Sequence, residues 1–204
     1  MIKRVRENSY QQNLQRIVEL FNDMEIEYMV VGGGALVLHG FDYHTNDVDF
    51  YFEDSKENNS KIINALIQLG FELTEQRRDE ILRGKDFIQF NKPFELDLMF
   101  YPDGFDNYEQ AKRYKEHIGN IPVMNVQGII KSKKAANRPK DKLILPMLEE
   151  FQIYLLNPVG LKENILDDYF KIVEGYEYTD IQTMERWMIN RTNTIEQRIR
   201  KGIG

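Results

Sequence analysis

No cysteine occurs in the 204 residues, which excludes disulfides and cysteine-based metal sites. Histidine is scarce. His39, His44 and His117 stand at no metal-ligand spacing, so loop or structural roles suit them better. The single tryptophan, Trp187, and the Tyr and Phe residues make no stacking motif and read as core. The longest apolar stretch, around Tyr28 to His39, is too short and too rich in glycine to span a bilayer. The opening segment MIKRVRENSYQQN has no apolar run behind its basic residues and does not read as a signal peptide. An excess of positive charge is missing too, and the net charge of −6 argues against generic nucleic-acid coating. Repeats, low-complexity tracts and long linkers are absent. These absences set the expectation of a soluble cytoplasmic protein with no membrane partner.

What is present is an ordinary globular balance, 42% hydrophobic and 29% charged. The length suits one domain, or one domain with a helical extension. The organising stretch runs from Met29 to Glu53. Tyr28 to Val31 are β-type residues ending at Gly32-Gly33-Gly34, which marks a tight backbone turn. Ala35 to His39 leaves room for a short helix before Gly40. From Asp47 to Phe52 acidic and apolar residues alternate. In a strand, residues i and i+2 share a face, so Asp47 and Asp49 point the same way, with Cα atoms roughly 7 Å apart. Two carboxylates converging beside a glycine turn suit a divalent metal and phosphate.

Around this stretch the spacing predicts a helix over Ser9 to Asn22, with Leu14, Ile17, Val18 and Phe21 on one stripe. Asp54 to Glu57 resembles a capping box for a helix carrying Ile62, Ile63, Leu66 and Ile67 and ending at Gly70. Phe71 to Leu73 reads as a short strand. Asp86–Phe90 and Phe94–Phe100 read as a hairpin. Tyr101 to Asn107 is loop, Tyr108 to His117 helix, and Ile121 to Met124 a last strand. Helices are expected over Val126 to Ala136 and Lys142 to Leu156, where Pro146 imposes a kink or a late start. Two more are expected, over Leu161 to Val173 and Asp180 to Ile199. The expected architecture is α+β: a small mixed sheet with helices packed on it over residues 1–125, then a helical part over residues 126–204.

Asp97 in FELDLMF is the third acid of interest. Leu96, Leu98 and Phe100 take one face of that strand and Asp97 the other, with Glu95 and Met99. If this strand lies beside the Asp47 strand, three carboxylates meet, an oxygen-rich setting that suits Mg²⁺ and substrate phosphates. Two such ions about 3.5–4 Å apart stabilise both attacking and leaving oxygens in phosphoryl-type transfer. A wet sheet face alternates acid and apolar in the same way, so for Asp97 alone both readings stay open. Glu53 and Glu95 share these faces and read as rim residues. The glycines make neither a phosphate-binding Gly-Lys-Ser/Thr loop nor a dinucleotide fingerprint; they open a helix, whose exposed N–H groups can receive phosphate.

Lys133 falls on the stripe of Val126, Ile129 and Ile130, so its ammonium faces inward and either snorkels or pairs with an anion. It belongs to the segment Lys131–Lys142, six basic residues and one acid, which points to a local site for a polyanion.

The combination resembles the nucleotidyltransferase superfamily, with its polymerase-β-like fold: Gly-Gly opening a helix, then Asp-x-Asp, then an acid on a later strand. Here these are Gly32-Gly33, Asp47-Val48-Asp49 and Asp97. The chain is most similar to the AbiEii-type, toxin-like branch, with matches at Val31, Gly32, Gly33, Ala35, His39, Gly40, Thr45, Asp47 and Asp49. A second branch pattern is matched by Lys133, Ala135, Ala136, Arg138, Pro139, Lys140 and Asp141. Tyr43 stands where that branch has arginine, which puts one phosphate or base contact in question.

The resemblance covers Glu27 to Phe151. It implies NTP and Mg²⁺, two ions, and transfer of NMP to an acceptor hydroxyl on tRNA, protein or a small molecule such as an antibiotic. It implies that Asp47, Asp49 and Asp97 are catalytic metal ligands and that Gly32, Gly33, Thr45, Lys133 and Arg138 bind NTP. A toxin of a toxin–antitoxin or phage-defence pair, with a cognate antitoxin, is the implied setting. The alternatives are a catalytically weak, antitoxin-like binding module and an antibiotic nucleotidyltransferase.

Overall fold

The structure is a computed structural model and describes residues 2–43, 45 and 47–156. The expected helices over Leu161–Val173 and Asp180–Ile199 lie outside the described residues. Among those described, six strands form one mixed sheet: β1 (Tyr28–Val30), β2 (Val48–Phe52), β3 (Phe87–Phe90), β4 (Leu96–Met99), β5 (Lys115–Ile118) and β6 (Ile121–Met124). Their order in the sheet is β3-β4-β2-β1-β6-β5. The helices are α1 (Ile2–Asp23), α2 (Gly32–Leu38), α3 (Lys56–Gln68), α4 (Glu75–Leu82), α5 (Tyr108–Ala111), α6 (Val126–Ala136) and α7 (Pro139–Leu156). The fold is α+β, a mixed sheet with helices packed on it. No helix among the described residues is long and apolar enough to cross a membrane.

The two faces of the sheet differ in chemistry because strand residues alternate. Phe50 and Phe52 of β2, with Tyr28 of β1, meet Phe21 of α1 in edge-to-face ring contacts, Phe21 lying 5.2 Å from both Tyr28 and Phe50. Ile17, Val18, Ile62 and Leu66 complete this layer, all buried. Each such side chain contributes about 1.5–3 kcal/mol through burial, so this face anchors the sheet and fixes the register of β2. A slip by one residue would turn Asp49 into this apolar layer and Phe50 out of it. The opposite face carries Asp49, Tyr51, Asp97 and Met99.

The central pairings position the site. β1 and β2 are antiparallel with Val30 opposite Phe50, and β2 and β4 are parallel with Asp49 opposite Asp97. Asn58, buried at the start of α3, clasps β1 to β2: it accepts from the Glu27 N–H and donates to the Glu27 and Glu53 carbonyls. α6 and α7 share the same core through Ile129, Ile130, Ile144, Leu148 and Phe151.

Several local expectations change. The glycine run is not a turn ahead of a helix but the first turn of α2 itself, with Gly32 at φ +61°. The cap of α3 is Ser55, which accepts from the Asn58 N–H, one residue later than expected. In place of a strand at Phe71–Leu73 the chain passes to α4, capped by Thr74. Only Ile81 of α4 is buried, so no apolar stripe betrayed it. Tyr108–His117 is not one helix: α5 gives way to a 3₁₀ turn and then β5, because the two-residue turn Gly119-Asn120 pairs β5 with β6 as a hairpin. α7 begins at Pro139, earlier than expected, since proline is pre-set for a first helical position.

Candidate active site

Parallel pairing of β2 with β4 brings the three acids together. One carboxylate oxygen from each of Asp47, Asp49 and Asp97 lies within 4.8 Å of the other two. Asp47 sits one residue ahead of β2, half-buried, and Thr45 Oγ1 donates to its Oδ1 at 2.5 Å. Asp49 is 8% exposed and Asp97 5%. Asp97 Oδ1 is buried and has no hydrogen-bond partner. Burial first, then the charges of Asp47 and Asp97, push the Asp49 carboxyl up to about 7, against the Gly33 N–H that donates to it and the nearby Lys133. Burial and then the Asp47 charge push Asp97 up to about 6, against a hydrogen bond from Gln89.

A crowded, acceptor-only cluster with an orphaned buried oxygen is what a hard divalent cation relieves. The all-oxygen donor set fits Mg²⁺, which takes one or two carboxylates and leaves room for substrate oxygens. Cysteine-free and histidine-free, it does not resemble a zinc site.

The glycines serve this cluster by being small. A Cβ on Gly32 would collide with the Asp49 carboxylate, and one on Gly33 would stand 2.7 Å from the Tyr43 ring and 3.0 Å from Thr45 Oγ1. Gly32 also holds a left-handed backbone, which costs an L-residue about 1–2 kcal/mol. Gly32→Ala should therefore lose that stability and displace Asp49. Titration with Mn²⁺ should show metal affinity down by at least about tenfold, since a ligand charge is misplaced. Wild-type metal affinity in Gly32→Ala would contradict the close approach.

Lys133 is neither solvated nor snorkelling. Its Nζ lies 3.1 Å from Asp141 Oδ1, and the other oxygen of Asp141 accepts from Arg138 Nε at 2.6 Å. Asp141 is fully buried. Burial raises its carboxyl, but the hydrogen bonds from Arg138 and Lys133 outweigh this and hold it below the ordinary carboxylate range. Asn137, left-handed at the end of α6, turns the chain so that the first turn of α7 faces Lys133. Asp141 was given no site role from sequence, although an acid in the first turn of a helix three residues after an arginine is a readable pairing signal.

Val31, Gly32, Lys133 and Arg138 line a cleft of about 390 Å³, together with Asp86, Phe87, Met99, Tyr101 and Asp103. Gly33, Thr45 and the three acids do not line it, although Asp49 stands against Gly32, which does. Tyr43, absent from the sequence-derived site, packs on Gly33 and lies within electrostatic reach of Asp141, Asp47 and Asp49. Lys140 acts on Asp97 from outside. The remaining charges of the basic segment are used locally. Lys134 pairs with Glu149 at 2.5 Å, and Lys131 lies over the Phe105 and Tyr114 rings at 4.7 and 5.5 Å.

Three solved structures are similar to this chain at low sequence identity. A proposed nucleotidyltransferase of Thermotoga maritima is 15% identical, with a TM-score of 0.47 over 72% of this chain and 93% of that one. JHP933 of Helicobacter pylori is 12% identical, with a TM-score of 0.43 over 95% of this chain and 93% of its own. A proposed nucleotidyltransferase of H. pylori is 12% identical, with a TM-score of 0.39 over 96% and 97%. No family model and no curated protein matches the chain.

Proposed function

We propose that the chain is a metal-dependent nucleotidyltransferase that moves a nucleoside monophosphate from an NTP to an acceptor hydroxyl. The observation that carries this reading is the meeting of Asp47, Asp49 and Asp97 where the parallel strands β2 and β4 lie side by side, next to a cleft. In it, Asp47 and Asp49 would hold two Mg²⁺ ions and Asp97 would hold the catalytic one, and the metal would supply charge stabilisation during transfer. Thr45 fixes Asp47, and Gly32 and Gly33 let the backbone come close to the carboxylates and the triphosphate. Lys133 and Arg138, pre-oriented by Asp141, meet the phosphates from the cleft wall. In this reading Asp97 also helps activate the acceptor hydroxyl.

Residues 1–125 act as the catalytic core, and residues 126–204 supply the two cations and the acceptor side. The two AbiEii-type motifs support a cytoplasmic toxin of a toxin–antitoxin or phage-defence pair, with a cognate antitoxin as partner. A second reading, a catalytically weak binding module, is favoured by one observation: the Tyr43 ring packs on Gly33, where this family places its phosphate-binding turn.

Incubation with each radiolabelled NTP, Mg²⁺ and total cell extract separates the two. Label in RNA, protein or a small molecule supports the enzyme and reports the acceptor class; no transfer from any NTP leaves the binding module. Lys133→Met removes a charge-assisted contact worth on the order of 1.5–3 kcal/mol, so NTP affinity should fall roughly ten- to a hundredfold. Lys134→Met, whose partner Glu149 lies on the surface, is the control. Isothermal titration with a non-hydrolysable NTP measures both, and equal losses would mean a diffuse basic patch instead of a specific contact.

A further inference from the structure

Each of the three acids is held by a donor of its own. Thr45 Oγ1 donates to Asp47, and the Gly33 N–H donates to Asp49. For Asp97 the donor comes from the edge of the sheet. In the antiparallel pairing of β3 with β4, Gln89 lies directly opposite Asp97, which brings the two Cβ atoms to roughly 4.5–5.5 Å. Ile88 and Phe90 are buried and turn to the core, so Gln89 takes the other face, which it shares with Asp97. β3 is the outermost strand on this side. The Gln89 side chain reaches over β4 and hydrogen-bonds the carboxylate. An ionised carboxylate only accepts, so the amide nitrogen of Gln89 is the donor. Asp97 Oδ1 has no partner, so the bond falls on Oδ2.

That bond sets an angle the aspartate cannot set for itself. The terminal torsion of an Asp side chain is broad and roughly two-fold, so the residue alone does not fix the plane of its carboxylate. Burial keeps bulk water from fixing it, and the Asp47 charge repels it. Holding Oδ2 from the β3 side fixes the plane. Oδ1 is then the oxygen left without a protein donor, the one a cation can take. Gln89 itself is exposed, unlike the acid it holds. It fills no core space, so its effect on the carboxylate can be separated from its effect on the fold.

We propose that Gln89 is the positioning residue of the third metal ligand, its amide N–H orienting the Asp97 carboxylate toward the cation. The turnover expected of it rests on the nucleotidyltransferase reading, whereas the metal affinity does not. Outer groups that orient a ligand typically change metal affinity or activity about 10- to 100-fold. An effect confined to the Asp97 side of the centre belongs in kcat, because the triphosphate is met by Lys133, Arg138 and the glycine turn in that reading.

The test compares the full chain with Gln89→Met and Gln89→Glu. Methionine keeps the reach and loses the donor; glutamate keeps the shape and turns the donor into a second acceptor. One readout is Mn²⁺ titration followed by electron paramagnetic resonance, without NTP. The other is transfer of label from α-³²P-NTPs with Mg²⁺ and total cell extract, resolved into kcat and the KM for NTP. The expected result is that Mn²⁺ affinity and kcat each fall at least about tenfold in both variants while KM stays within about twofold. Tighter Mn²⁺ binding in Gln89→Glu would make the amide carbonyl itself a metal ligand and overturn the positioning role. Unchanged Mn²⁺ affinity in Gln89→Met overturns it too, as does a loss that lies in KM and leaves kcat alone, which would assign Gln89 to the nucleotide. Weaker Mn²⁺ binding in both variants, with no transfer from any NTP even in wild type, keeps the role of Gln89 and removes the nucleotidyltransferase reading.

Discussion

Asp49→Asn should abolish nucleotidyl transfer, and the same change should make the metal-free protein harder to melt. Loss of transfer follows from removing a ligand charge while keeping the shape; the amide oxygen still accepts from the Gly33 N–H. The gain in stability follows from crowding. Asp49 is raised to about 7 by burial and by its two carboxylate neighbours, so between its unfolded value near 4 and that point the folded state holds more protons than the unfolded one. Without metal, stability is therefore highest at the acid end of this window and declines as pH rises through it, Asp97 adding to the decline up to about 6. Asparagine removes the larger share, on the order of 3 kcal/mol at pH 8, which corresponds to roughly 5–10 °C in Tm for a chain of this size. Differential scanning calorimetry in chelator from pH 5 to pH 8, alongside turnover, checks both halves. Retained turnover, or a variant that melts below wild type at pH 8, is incompatible with this site.

The second large effect belongs to Asp141. Asp141→Asn keeps the volume and removes the charge paired directly with the buried Lys133. Breaking a buried pair from one side typically costs about 3–5 kcal/mol, because the remaining charge stays uncompensated. Urea denaturation should show a loss of that order, and Lys133→Met placed in the same chain should recover a good part of it, as coupled partners do. Additive losses in the double variant would show that Asp141 does not act through Lys133. The carboxyl is held low, so its contribution is present above the ordinary carboxylate range and lost as pH falls, the opposite direction from Asp49.

These two acids also mark what the sequence could and could not disclose. Asp47 and Asp49 were legible because a strand repeats every two residues and the alternation is local. The pairing of Asp49 with Asp97 is a contact between strands separated by two helices and a strand, and only a match to a family pattern supplied it. Asp141 needed knowledge of how Asn137 turns one helix onto the next, which no periodicity encodes. The internal pairing of the basic segment stayed hidden because charges can be counted along a chain while their partners cannot. Lys131, Lys133, Lys134 and Arg138 are each engaged within the fold. α4 stayed hidden because it buries a single apolar residue, and β5 because its hairpin partner overrode a helical-looking run.

The strand order has a consequence for how the protein is made. β1 is fully buried between β2 and β6, yet β6 is the last of the described strands to leave the ribosome. Until Val123 is synthesised, the outer edge of Val30 lacks its parallel neighbour. At translation rates of about 5–20 residues per second this leaves a central apolar strand exposed as an edge for roughly 5–20 s. Exposed edges of this kind pair with other chains. The nascent polypeptide therefore passes through a sticky interval that ends only when the β5–β6 hairpin docks, and any product truncated before Lys115 keeps that open edge permanently.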